Sequence, residues 1–292
     1  MCDQDHFEQD RLEYEARGQV TRRQFGVLLS AGMVMLLPKV ANAVAVTESE
    51  VTVTTPDGSA DCYFVHPATG TAAAVLVWPD IFGLRPAFRQ MGKRLAESGY
   101  SVLVVNPFYR SAKAPVIGDN FDFSNPEQRA RLTGYRNAMS DEGVDHDALA
   151  YVAFLDAQPQ TNKVRKVGVQ GYCMGGTLSF RTAAAVPDRV AAVGSFHGGN
   201  GLVSKNPNSP HLLIEKANAA YLIAHAQNDD AQNPQMKEDL KKAFADASRS
   251  ATVEVYQANH GWCVKGGQAY HEAEAERAWA ALNVLYGRML GG

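Results

Sequence analysis

The chain has 292 residues, 46% of them hydrophobic and 20% charged, and a formal net charge of -3. That length suits one large globular domain or two small ones. The near-balanced charge argues against a broad nucleic-acid-binding surface and leaves room only for a local basic patch.

The first twenty residues are polar and charged. They are followed by Thr21-Arg22-Arg23-Gln24-Phe25, a mostly apolar run from Gly26 to Leu37, and the small-residue site Ala41-Asn42-Ala43. This order reads as a twin-arginine export signal over residues 1–43, cleaved after Ala43. The expected mature chain, residues 44–292, is carried out by the twin-arginine export machinery to the periplasm or beyond. The apolar run is too short to span a bilayer comfortably, so no stable membrane insertion is expected after cleavage. The alternative is a cytoplasmic protein whose apolar run packs against the domain.

Beyond the signal, Val51 to Thr55 and Ala60 to Val65 read as strands joined by the turn Pro56-Asp57-Gly58. Ala72 to Trp78 and Ser101 to Val105 are continuous apolar runs, as buried strands are. Between them Pro86 to Ser98 has helical spacing. Phe108 to Ser140 is rich in Pro, Gly, Asn and aromatics, with a short helix predicted over Pro126 to Arg136. A helix over Asp141 to Ala157 follows, then a strand over Val164 to Gln170 and a helix over Cys173 to Ala185. Strands over Val190–Phe196, Ala219–His225 and Ala251–Tyr256 come next, with helices near Pro234–Ala247 and Gln268–Leu285. The alternation predicts an α/β domain whose mostly parallel sheet is covered by helices on both faces. Ligands of such sheets bind beyond the carboxyl ends of the strands.

One junction carries chemistry. Gly171-Tyr172-Cys173-Met174-Gly175-Gly176 matches the nucleophile elbow G-x-S-x-G with cysteine in place of serine. Glycines permit the sharp strand-to-helix turn, and the helix start favours a thiolate at Cys173. The spacing is wrong for the dinucleotide motif G-x-G-x-x-G. A nucleophilic thiol needs a base, and the base needs an orienting group. His260 follows the last predicted strand in Asn259-His260-Gly261; His197 and His225, each at a strand end, are its rivals. Asp229 follows the strand before that, with Asp230 beside it as an open alternative. The order Cys173, Asp229, His260 is the nucleophile-acid-base order of α/β-hydrolases. Cys62 and Cys263 are a pair only if the fold brings them together, and separate core thiols are the other reading. No C-x-x-C occurs, so no structural zinc site is suggested.

From about Val51 to Gly291 the chain resembles the dienelactone hydrolase (carboxymethylenebutenolidase) family. The resemblance rests on the cysteine elbow, on Asp80-Ile81-Phe82-Gly83, on Asn106-Pro107-Phe108-Tyr109-Arg110, on the acidic loop at Asp229, and on Asn259-His260-Gly261. It implies a monomeric α/β-hydrolase fold that needs no cofactor and no metal. It also implies a small lactone or ester as substrate, possibly carboxylate-bearing. Asp80, where the family commonly has glutamate, is implied in thiol activation. Tyr109 and Arg110 are implied in substrate binding, and the backbone N–H groups of Ile81 and Met174 in the oxyanion hole. A second family arginine falls near Val264, where this chain has none; Lys265 is one residue away. An esterase of another substrate class and a non-catalytic binding protein of the same fold are the alternatives.

Overall fold

Eight strands form one sheet, and the runs that read as buried strands lie at its centre. The structure, a computed structural model, describes residues 37–118 and 121–291. In chain order the strands are β1 (Val46–Thr55), β2 (Gly58–Pro67), β3 (Ala73–Trp78), β4 (Tyr100–Val105), β5 (Val167–Tyr172), β6 (Val190–Phe196), β7 (Ala220–Ala226) and β8 (Ala251–Tyr256). Their order in space is β1-β2-β4-β3-β5-β6-β7-β8. The pairs β1–β2 and β2–β4 are antiparallel, and every pair from β4–β3 to β7–β8 is parallel. The helices are α1 (Pro86–Glu97), α2 (Pro126–Asn137), α3 (Asp141–Ala157), α4 (Met174–Ala185), α5 (Gln227–Gln232), α6 (Met236–Asp246) and α7 (Glu272–Leu290).

Alternate residues of each central strand feed opposite faces of the sheet, which is why the runs are apolar without a break. On β3, Ala74, Leu76 and Trp78 join Val144, Tyr151 and Leu155 of α3 and Leu178 and Phe180 of α4. Val75 and Val77 instead join Phe88 and Leu95 of α1 and Leu282 and Tyr286 of α7. Each fully buried Leu or Phe stabilises such a layer by about 1.5–3 kcal/mol. Cys62 lies in the first layer and Cys263 in the second, and both thiols are free. The sheet therefore keeps the two cysteines apart.

Several boundaries differ from expectation, β1 among them by starting at Val46, and three of the differences have local reasons. Asn162 accepts from the amides of Val164 and Arg165, which fixes a turn there and leaves Val164 exposed; β5 therefore starts later, at Val167. The acidic loop after β7 winds into the short helix α5. The last helix starts at Glu272, where the His271 ring accepts from the amide of Glu274.

The arginine pair and most of the apolar run of the expected signal lie outside the described residues. Within them, Leu37 packs against the layer formed by α1 and α7, and Ala41 to Ala43 form an exposed stretch at a turn. Among the described residues, no helix is long and apolar enough to cross a membrane.

Candidate active site

The parallel order of β5, β6, β7 and β8 sets the residues that follow them side by side along one edge of the sheet. Cys173 follows β5, His197 follows β6, Asp229 sits in α5 after β7, and His260 comes shortly after β8. The chain reverses sharply at Cys173, whose φ of 53° is left-handed. That turn requires the flanking glycines. A Cβ on Gly171 would lie 1.8 Å from the Gly175 carbonyl oxygen, and one on Gly175 would lie 2.3 Å from that of Trp78. The elbow thus packs directly on its own helix and on the backbone of β3.

His260 is the histidine that reaches both partners. Its Nδ1 lies 2.8 Å from Asp229 Oδ2, and its side chain hydrogen-bonds Cys173. Asn228 fixes the loops that bring them together, since its Oδ1 accepts from the His260 amide at 2.9 Å and from the Asp229 amide at 3.1 Å. Burial opposes the imidazolium form of His260. The charges of Asp229 and Cys173, with hydrogen bonds to both, outweigh burial and raise its pKa well above the ordinary histidine value. Burial likewise opposes the Asp229 carboxylate, but the charge and hydrogen bond of His260 outweigh it and hold that pKa down. Asp230 points elsewhere and pairs with Lys237 at 2.7 Å.

The rival histidines are placed differently. His197 is fully buried, and neither ring nitrogen has a hydrogen-bond partner among the described residues. Its ring meets that of His260 edge-on at 5.0 Å. Burial, followed by the His260 charge, pushes its pKa well below the ordinary value, so it stays neutral. Burial also lowers His225, whose ring nitrogens are unpartnered too.

Cys173 and His260 face a cleft of about 500 Å³ that Ile81 and Met174 also line. The amides of Ile81 and Met174 have no acceptor among the described residues. Two N–H groups beside a thiol are donors for an oxygen that gains negative charge.

Three expected site residues have other partners. Asp80 receives both arms of Arg85, at 2.6 and 2.8 Å, and the Phe82 amide at 2.9 Å. Its carboxylate is thereby committed to the loop that carries Ile81, and it is not among the cleft-lining residues. Arg110 spans Asp57 in the β1–β2 turn and the buried Asp147 of α3, while Tyr109 donates to Asp147 at 2.7 Å. Neither Tyr109 nor Arg110 lines the cleft, because two carboxylates already satisfy the guanidinium. Val264 is buried and Lys265 lies over the Tyr270 ring.

Asn228, Arg85 and the cleft residues Arg136 and Arg181 are absent from the sequence-based expectations. An Asx residue beside the acid is the one signal that pointed to Asn228. The arginines carry none: Arg85 meets Asp80 through an irregular loop, and Arg181 reaches Asp145 on another helix. Among the described residues no group of three or more His, Cys, Asp or Glu side chains is arranged to hold a metal ion.

The fold agrees with what the chain is similar to. A carboxymethylenebutenolidase of Rhodococcus opacus is 26% identical over 225 residues, covering 76% of this chain and 83% of that one. The crystal structure of a proposed dienelactone hydrolase from Klebsiella pneumoniae matches with a TM-score of 0.72 at 23% identity, covering 84% of this chain and 99% of that one. A dienelactone hydrolase-like promiscuous phosphotriesterase from metagenomic libraries matches with a TM-score of 0.68 at 22% identity, covering 85% of this chain and all 100% of the other. These structures share the α/β-hydrolase fold. The dienelactone hydrolase family model matches residues 60–290, and the chain belongs to that family of hydrolases.

Proposed function

We propose that this hydrolase opens lactones or cleaves small carboxylic esters through Cys173. The observation that carries the reading is the continuous chain from Asp229 through His260 to Cys173 at the elbow. Cys173 attacks the acyl carbon as a thiolate, its proton held by His260. The carbonyl oxygen becomes an oxyanion between the Ile81 and Met174 amides. On collapse the leaving oxygen takes the proton from His260 and departs as an alcohol or enol, which leaves a thioester on Cys173 and a neutral imidazole. His260 then takes a proton from water, which attacks the thioester and releases the acid. Asp229 holds the His260 tautomer and stabilises its charged form. In this reading Asp80 acts through Arg85 and Phe82, keeping the loop of Ile81 in place rather than activating the thiol.

The choice between histidines supplies the test. His260→Ala is expected to lower kcat for an aryl acetate by about 10²-fold or more, the scale of positioned acid–base catalysis. His197→Ala is expected to cost far less, since a buried neutral ring without partners is not poised to carry the proton. The reverse ranking in steady-state turnover makes His197 the base and overturns the reading.

The N-terminal pattern supports export by the twin-arginine route, with cleavage after Ala43 in the exposed stretch that follows Leu37. The N-terminal sequence of protein purified from periplasmic and cytosolic fractions decides this. A mature chain starting at Val44 in the periplasm is expected. Full-length chain confined to the cytosol contradicts it.

A further inference from the structure

We propose that His197 is a positioning residue for the reaction: its ring is the wedge on which the loop after β8 closes, and it holds the His260 imidazole in reach of Cys173. The proposal rests on the reading of His260 as the base.

His197 carries two features that cost stability. Its φ of 39° is left-handed, which strains a residue with a Cβ. Its ring is fully buried, and neither nitrogen is hydrogen-bonded among the described residues. A ring at such a position needs a reason. Histidine is the aromatic side chain most at home in left-handed backbone, so it suits a site that requires both the turn and a planar ring.

The backbone fixes where that ring stands. The Cys173 amide donates to the Phe196 carbonyl at 3.0 Å, and the His197 amide donates to the Ala224 carbonyl at 2.8 Å. His197 is thereby tied to the elbow on one side and to β7 on the other. The loop after β8 reverses at Gly261, whose φ of 98° is left-handed. The rings of His260 and Trp262, on either side of that glycine, both meet the His197 ring edge-on, at 5.0 and 6.1 Å. Trp262 is itself buried and stacks on Tyr256 of β8 at 4.7 Å. The loop therefore packs on His197 through two rings. A hydrogen bond from Nδ1 to Asp229 is a pivot about which the His260 ring can turn, and His260 borders the open cleft. A ring packed against the imidazole opposes that rotation, which is how a group that never touches substrate keeps a base aligned. Burial keeps His197 neutral, so the wedge sets no second cation beside the imidazolium.

The test reads alkylation of Cys173 by iodoacetamide at neutral pH, mapped to its peptide by mass spectrometry so that Cys62 and Cys263 do not contribute. The rate follows the thiolate, which the His260 imidazolium stabilises. His197→Gly removes the ring and suits the left-handed backbone. It should slow alkylation about 3- to 10-fold, the worth of one edge-to-face ring contact. In a His260→Ala background the same substitution should change nothing, because the ring it acts through is gone. Equal slowing in both backgrounds would mean a general loosening of the elbow. Either that result or no slowing with His260 present overturns the proposal.

Two more variants separate the ring from the backbone. His197→Asn also accepts a left-handed φ but has no ring, so it should stay as slow as the glycine variant. His197→Phe restores a ring under strain; it should recover most of the rate while lowering the unfolding midpoint. A phenylalanine variant no faster than the asparagine variant would overturn the role of the ring. Turnover supplies a second arm. First-turnover release of nitrophenolate from para-nitrophenyl acetate should fall by a similar factor in His197→Gly, well short of the loss in His260→Ala. If wild-type protein hydrolyses no ester, the hydrolase reading fails and alkylation alone decides on His197. If esters are hydrolysed and alkylation shows no coupling between the two histidines, this proposal fails while the hydrolase reading stands.

Discussion

Cys173→Ala is expected to lower turnover of an aryl ester by about 10⁴-fold or more while leaving circular dichroism unchanged. Removal of a covalent nucleophile leaves only binding and the oxyanion donors to act, and the residual rate is correspondingly small. The fold has little reason to respond. Cys173 packs among apolar neighbours, and alanine keeps the Cβ that the left-handed turn already accommodates. The turn depends on Gly171 and Gly175, which the substitution does not touch. Cys173→Ser tests whether the site is tuned to sulfur. A hydroxyl beside the same imidazole is far harder to ionise, so it should also lose most activity. Wild-type-like turnover by Cys173→Ala would remove the thiol from the mechanism.

Arg110→Met is expected to destabilise the protein by about 3–5 kcal/mol, the usual loss when one partner of a buried ion pair is removed. Asp147 is fully buried and receives Arg110 Nη1 at 2.7 Å and Nη2 at 2.9 Å. Without them its carboxylate keeps one side-chain donor, the Tyr109 hydroxyl. The bond to the half-exposed Asp57 adds little, since exposed pairs contribute about 0–1 kcal/mol. Denaturant unfolding measures the effect as a lower midpoint at an unchanged slope. Protein that remains folded should show no selective rise in KM for anionic esters. An unchanged midpoint with such a rise would return Arg110 to substrate binding, the role its place in the sequence suggests.

What the sequence made legible was local. The elbow is specified within six residues, and its glycines are needed because backbone atoms sit within about 2 Å of where their side chains would start. The unbroken apolar runs announced the central strands because both sheet faces are covered. The order of Cys173, Asp229 and His260 was readable because each closes a strand of one parallel sheet. The fates of charged side chains were not readable. Arg110 and Asp147 are 37 residues apart and meet only through the packing of α3. Asp80 and Arg85 are five residues apart but pair through an irregular loop, for which no periodicity exists. The choice of Asp229 over Asp230 also depends on the winding of α5, which turns one carboxylate to His260 and the other to Lys237. The cleft over Cys173 is built partly from α2, a polar helix with one buried residue, so its sequence carries almost no hydrophobic signal.

The central claim is that hydrolysis passes through a thioester on Cys173. Wild-type protein mixed with excess para-nitrophenyl acetate and quenched in acid can be digested and mapped by mass spectrometry. The account predicts one acetyl group on the peptide that carries Cys173, lost at a rate that accounts for turnover once free ester is removed. An acetyl group found only on other residues, or turnover that continues with no acyl-enzyme at Cys173 under conditions that trap one in His260→Ala, would contradict it.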